Sequence, residues 1–235
     1  MKQLIACLAL LIVSLTIGAQ DTPEYRLELG AGVGVATYQG DFNNGLLNNM
    51  NPLGGVVVKY KPNPRMAWAA NVGYGRLKGD SKKADTWYPE ITTSTVEFKT
   101  GIVDVNVRFE YNFWPFGTGR EYHGARRLTP FLAIGLGLVF ASYDADLEGV
   151  QDKGSSAAGQ MPVGFGVKYK VADRWNLAAE WMMHFTGNDK LDGISDPYGI
   201  KSTGLFKNTD CYSTIGVTLT YDLWAKCKTC HNDRE

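Results

Sequence analysis

The 235-residue chain carries 24 Lys+Arg against 24 Asp+Glu, with charged residues at only 20%. A formal charge of zero removes the global basic field that most nucleic-acid binders need, so no nucleic-acid partner is expected. The 27 Gly exceed the usual ~7% without a Gly-X-Y period, which excludes collagen, and 44% hydrophobic residues exclude a wholly disordered chain.

Lys2 precedes an apolar run from Leu4 to Ile17, after which the small residues Gly18 and Ala19 lead into polar Gln20. This is the pattern of a secretory signal cleaved after Ala19. The run is short of the ~20 residues that a helical span needs, and no later stretch reaches ~18 apolar residues. Cys7 lies too early in the run for a lipoprotein box. Residues 1–19 are therefore expected to be a signal peptide, 20–224 the folded unit and 225–235 a short tail.

The mature chain is organised by a period of two. In the first segment Leu27, Leu29, Ala31, Val33 and Val35 alternate with Glu28, Gly30, Gly32 and Gly34. Val56, Val58 and Tyr60 then alternate with Val57 and Lys59, and beyond a turn at 61–65 Trp68, Ala70, Val72 and Tyr74 alternate with Ala69, Asn71 and Gly73. The clearest run spans 102–113: Val103, Val105, Val107, Phe109 and Tyr111 fall on one face, and Asp104, Asn106, Arg108 and Glu110 on the other. A helix would scatter these two sets, whereas a strand separates them. The connection from Trp114 to Arg127 is long and holds Arg120, His123, Arg126 and Arg127. Its basic, glycine-containing composition suggests a flexible docking element, with a solvated hairpin as the alternative.

Four more segments follow, at 132–141, 163–170, 176–185 and 214–223, each alternating large apolar residues with glycine or polar ones. The seventh ends at His184-Phe185-Thr186, which faintly resembles the His-x-Ser arrangement of outer-membrane lipid A deacylases. Thr replaces Ser, and His184 falls on the polar face, away from any acyl chain, so a packed histidine is expected and no enzyme. Cys211 is read as beginning the final strand at its outer end; Cys227 lies 16 residues further on, about 50 Å of extended chain, beyond disulfide reach. The tail carries Cys227-Lys228-Thr229-Cys230-His231, the c-type haem attachment signature, but only Asn232 to Glu235 remain to enclose a porphyrin. A local Cys227–Cys230 disulfide is the expectation instead, with no cofactor and no metal site.

Eight alternating segments, with short turns after the second and sixth and longer polar loops after the first, third, fifth and seventh, predict an all-β, eight-stranded antiparallel up-and-down transmembrane barrel of the outer-membrane type. Both termini would then lie in the periplasm. A soluble barrel of the lipocalin kind is the alternative, with the apolar face inward around a ligand. Against it, the polar face holds many glycines, and tyrosines such as Tyr60, Tyr111, Tyr169 and Tyr221 sit at strand ends like an interfacial girdle. Asp104, Arg108, Glu110 and Glu180 then point into the lumen with Glu28, Lys59, Lys168 and Asp222. An eight-stranded lumen has room only for side chains, so they are expected to form a pairing network that plugs it. A solute pathway is the alternative.

Several strings of this sequence resemble PorG-like outer-membrane barrels, a component family of the type IX secretion apparatus of Bacteroidota. They are Glu28-Leu29-Gly30-Ala31-Gly32-Val33-Gly34 leading to Tyr38-Gln39-Gly40-Asp41, and Gly73-Tyr74-Gly75-Arg76-Leu77-Lys78-Gly79-Asp80. Glu110-Tyr111-Asn112-Phe113-Trp114-Pro115-Phe116 and Thr129-Pro130-Phe131-Leu132-Ala133-Ile134-Gly135 also match. The resemblance implies a non-enzymatic accessory that anchors the periplasmic ring of the secretion machine at the outer membrane, with no catalytic residues. Its partners would be outer-membrane lipid and periplasmic ring proteins, with no small-molecule substrate, and Arg120, Arg126 and Arg127 are the candidate docking residues. The alternative is a generic small barrel that serves adhesion or envelope integrity through its surface loops.

Overall fold

The computed structural model describes residues 23–39, 50–80, 96–119, 124–147, 150–187 and 211–225. The expected signal peptide, Arg120, and Cys227 and Cys230 with His231 lie outside the described residues.

Eight strands follow in chain order: β1 (Tyr25–Gln39), β2 (Asn51–Asn63), β3 (Met66–Asp80), β4 (Val96–Asn112), β5 (Leu128–Leu147), β6 (Val150–Lys170), β7 (Trp175–Thr186) and β8 (Cys211–Ala225). Each pairs antiparallel with its sequence neighbours, and β1 pairs with β8 from Tyr25↔Ala225 to Gln39↔Cys211, closing the barrel. Closure gives every strand a partner on both sides, although β6 extends past β7, with which its pairing stops at Gln160↔Thr186. The sequence alternation maps onto this wall directly. Val33 and Leu136 are 73% and 72% exposed on the outside, whereas Glu110 and Asp222 are fully buried inside. The apolar set faces outward, so the lipocalin arrangement does not apply.

Both ends of the barrel chain, Tyr25 and Ala225, meet at one mouth, called the terminal mouth below. The lumen wall is shaped by size complementarity across strands. Arg108 and Asn106 of β4 are register partners of Gly135 and Gly137 of β5, and Phe131 of β5 is the partner of Gly166 of β6. A Cβ at Gly166 would come within 2.7 Å of the Phe131 ring, so glycine there makes room for the phenyl group.

Two boundaries differ from the sequence reading. The long polar loop expected after the fifth segment is a hairpin: β5 and β6 stay in register from Leu128↔Tyr169 to Leu147↔Val150, and only residues 148 and 149 connect them. Residues such as Ser142, Ser155 and Ser156 are polar or small on both faces, so no hydrophobic alternation marks this extension, although backbone pairing continues. The turn between β2 and β3 shrinks from 61–65 to Pro64 and Arg65, where Asn63 Oδ1 accepts the Arg65 amide at 2.9 Å. Lys61 therefore belongs to β2, and its side chain is buried.

Candidate functional site

The lumen is filled in layers. Nearest the terminal mouth, Lys61 Nζ lies 2.7 Å from Glu28 Oε1 and 2.8 Å from Asp222 Oδ1, while Lys170 Nζ bonds the other Asp222 oxygen and donates to Asn176 Oδ1 at 3.1 Å. One layer deeper, Glu110 receives Lys59 Nζ at 3.1 Å and Lys168 Nζ at 2.7 Å. Phe131 is fully buried beside those two ammonium groups, which lie 5.9 and 4.5 Å from its ring centroid. Above it, Arg108 Nη2 crosses the barrel to both Glu180 oxygens at 2.9 and 2.8 Å. Five carboxylates (Glu28, Asp104, Glu110, Glu180, Asp222) thus share the described interior with five cations (Lys59, Lys61, Arg108, Lys168, Lys170). Desolvating so many charges is tolerable because nearly all meet an opposite charge within hydrogen-bond distance.

Asp104 differs, because its hydrogen bonds come from neutral donors, Asn106 Nδ2 and the Tyr212 hydroxyl. His184 stacks on the Tyr212 ring with 4.2 Å between centroids, and its Nδ1 lies 2.9 Å from Gln160 Oε1 and 3.3 Å from Asp104 Oδ2. Its Nε2 lies 3.3 Å from Thr214 Oγ1. Nδ1–H donating toward Gln160 and Asp104, with Nε2 accepting the Thr214 hydroxyl, satisfies the imidazole completely. Below this cluster a cavity of about 90 Å³ is lined by Asn71, Asp104, Asn106, Arg108, Glu180 and His184, room for a few waters. It ends at the Arg108–Glu180 layer.

At the terminal mouth residues 114–119 and 124–127, the described part of the connection from β4 to β5, are tied down by hydrogen bonds, unlike the flexible turn expected of their composition. Phe116 is 6% exposed, its amide donating to Pro64 O at 3.0 Å, and Gly117 N and Arg126 O are joined at 3.1 Å. Trp114 N donates to Thr129 Oγ1 at 3.0 Å, and that hydroxyl returns a bond to Trp114 O at 3.1 Å. Thr118 donates to Glu24 Oε1 at 2.7 Å. The segment is thereby stitched to the β2–β3 turn, to β5 and to the approach to β1. Its composition misleads because the anchoring atoms are backbone carbonyls and small hydroxyls. Phe116 lies under Lys170, 5.9 Å from its ammonium, and acts as a plug.

Of the residues singled out from sequence, Asp104, Arg108, Glu110 and Glu180 lie in the lumen, with Arg108 bonded to Glu180 and 3.4 Å from Glu110 Oε1 through Nε. Asp104 joins the His184 and Tyr212 cluster instead. Arg126 and Arg127 are exposed at the terminal mouth: Arg126 lies 5.0 Å over the Trp114 ring, and Arg127 Nε donates to Thr118 O at 2.9 Å. Cys211 opens β8 at the opposite end, half-buried. Lys61, Gln160 and Tyr212 escaped sequence reasoning, whereas Lys170 falls on the polar face of the sixth segment; Lys61 sits at a strand end next to turn residues, although its parity continues that of Lys59. Among the described residues no group of three His, Cys, Asp or Glu could hold a metal ion.

The chain belongs to the DUF6089 family, a domain of unknown function, which it matches over residues 2–232. Among solved structures it is similar to Neisserial surface protein A, at 14% identity over 84% of this chain and 97% of that chain, with a TM-score of 0.50. It is also similar to Ail, the attachment invasion locus protein of Yersinia pestis (8% identity, 84% and 99% covered, TM-score 0.46). A major outer membrane protein from Thermus thermophilus stands at 11% identity, 84% and 99% covered, TM-score 0.46. None of the curated proteins matches the chain significantly. The likeness to Neisserial surface protein A shows the fold, a small barrel of the outer-membrane type.

Proposed function

We propose that this member of the DUF6089 family is a sealed, non-catalytic barrel of the outer membrane, with its terminal mouth in the periplasm, and that it anchors the periplasmic ring of the type IX secretion machinery. The observation that carries the reading is the sealing of the lumen. Phe116, the Lys61 clamp, and Glu110 with Phe131 lie one behind another inward from the terminal mouth, so the protein acts through its ends and outer wall. The imidazole of His184 is buried inside the barrel and held by Gln160, Asp104 and Thr214, away from the outer wall where an acyl chain would lie, which supports a non-enzyme.

The secretion role is supported by where the family-like residues fall. Glu110-Tyr111-Asn112-Phe113-Trp114-Pro115-Phe116 runs from the lumen hub through the rim into the plug, so the string that resembles PorG-like barrels builds the rigid floor of the terminal mouth. A rigid floor suits attachment, because little order is lost on binding. Arg126 and Arg127 are the proposed contacts on that floor, together with Arg120, which lies outside the described residues.

Crosslinking in intact cells tests the partner. Capture of periplasmic ring proteins from the 114–127 segment is expected; capture only through 41–51 or 187–210 would favour the adhesion or envelope reading. In a clean deletion strain, cargo should accumulate in the periplasm, and normal export would reject the secretion role. A docking contribution of only ~1.4 kcal/mol corresponds to tenfold in attachment. Replacing Arg120, Arg126 and Arg127 by Gln should therefore impair export while insertion stays intact.

A further inference from the structure

Phe113 and Trp114 leave the end of β4 with side chains 46% and 39% exposed, and each is matched by a fixed arginine. Arg65, at the tip of the β2–β3 turn, donates Nη1 to the Phe113 carbonyl at 3.0 Å. The Arg126 guanidinium carbon lies 5.0 Å over the Trp114 ring. Both arginines are exposed, and among the described residues neither makes an ion pair. Each guanidinium carries five N–H donors, and a single carbonyl or a ring face occupies few of them.

The apolar surroundings decide what would use those donors. Phe113 continues the exposed row of Val103, Val105 and Val107 on β4, and Leu128, 47% exposed, begins the neighbouring strand β5. Two fixed cations at the lower border of a continuous apolar wall match a molecule with an anionic head and hydrocarbon tails. An acidic peptide would satisfy the guanidiniums but would leave Phe113 and Leu128 facing the hydrocarbon belt that surrounds them. Arginine is well suited to a phosphate diester, since its planar fork meets two oxygens at once.

We propose that Arg65 and Arg126 each engage the phosphate of an anionic phospholipid at the rim, with acyl chains lying along Phe113 and Leu128. The inference rests on the reading that the barrel sits in a bilayer, and it assigns Arg126 to lipid, so the ring contact proposed above would then fall to Arg120 and Arg127.

The test uses the full barrel in nanodiscs of phosphatidylcholine and phosphatidylglycerol in equal amounts, with the lipids retained after extraction measured by native mass spectrometry. Wild type should retain phosphatidylglycerol in preference. Arg65→Gln and Arg126→Gln should each lower that preference about fivefold, the weight of one arginine near an anionic surface. Both positions are exposed, and unchanged compact mobility of unheated protein on gels reports that the variants are folded. Equal retention of the two lipids by wild type, or wild-type preference in the folded double variant, would overturn the inference. So would displacement by water-soluble glycerol phosphate as effective as by intact lipid, since that would mark a simple anion site. Failure of wild type to insert into any bilayer would overturn the membrane reading instead.

Discussion

Glu28 on β1 and Asp222 on β8 are direct register partners across the seam that closes the barrel, and Lys61 reaches from β2 to within 2.7 Å of one and 2.8 Å of the other. Two carboxylates placed opposite each other repel. Lys61, helped by Lys170 on the second Asp222 oxygen, turns that repulsion into a clamp over the strand pair that closes the barrel.

Removing the clamp should weaken that seam. Lys61→Met leaves two buried carboxylates with one cation fewer, a loss expected to cost about 3–5 kcal/mol. Urea unfolding of the vesicle-inserted barrel gives the total. Hydrogen exchange should rise more along β1–β8 than along β4–β5, and uniform exchange would count against a clamp.

The Arg108–Glu180 bridge spans the lumen from β4 to β7, strands that do not pair with each other. Arg108→Met or Glu180→Leu alone strands a buried partner, whereas the double replacement removes both charges. The double variant should therefore be more stable than the sum of the single losses predicts, by about 0.5–3 kcal/mol. Additive losses in urea titrations would show that the two groups do not act as a pair.

Sealing has an electrical readout. In planar bilayers the wild-type barrel should pass no steady ion current, because Phe116 and the Glu110–Phe131 layer block the axis. Phe116→Ala combined with Phe131→Ala removes both aromatic obstructions and should give resolvable current steps. A steady current through wild type would refute the sealed lumen.

The outer wall makes a separate demand. Leu136 is 72% exposed midway along the apolar face of β5, so Leu136→Arg should cost about 2–4 kcal/mol in lipid vesicles. Asp173→Asn, on the exposed β6–β7 turn, should change stability by no more than ~0.5 kcal/mol. Equal tolerance at both positions would mean that Leu136 does not face hydrocarbon.

Alternation is a local property, and the sequence alone therefore decided the strands and which face of each looks inward. The parity that places Val105 outside and Asp104 inside needs no partner strand, because successive side chains of any strand point to opposite faces. The same parity sent Arg108, Glu110 and Glu180 to the interior before any pairing was known. It could not say that Arg108 meets Glu180 from β7 whereas Asp104 meets Tyr212 from β8, nor that Lys61 joins Glu28 to Asp222. Those partnerships depend on the stagger at which eight strands close, a quantity shared by the whole ring and written in no single segment. The β5–β6 extension and the plug at Phe116 were hidden for a related reason. Backbone hydrogen bonds to Pro64, Arg126 and the opposing strand hold them, and side-chain pattern carries little trace of those bonds until the tertiary fold brings the donors and acceptors together.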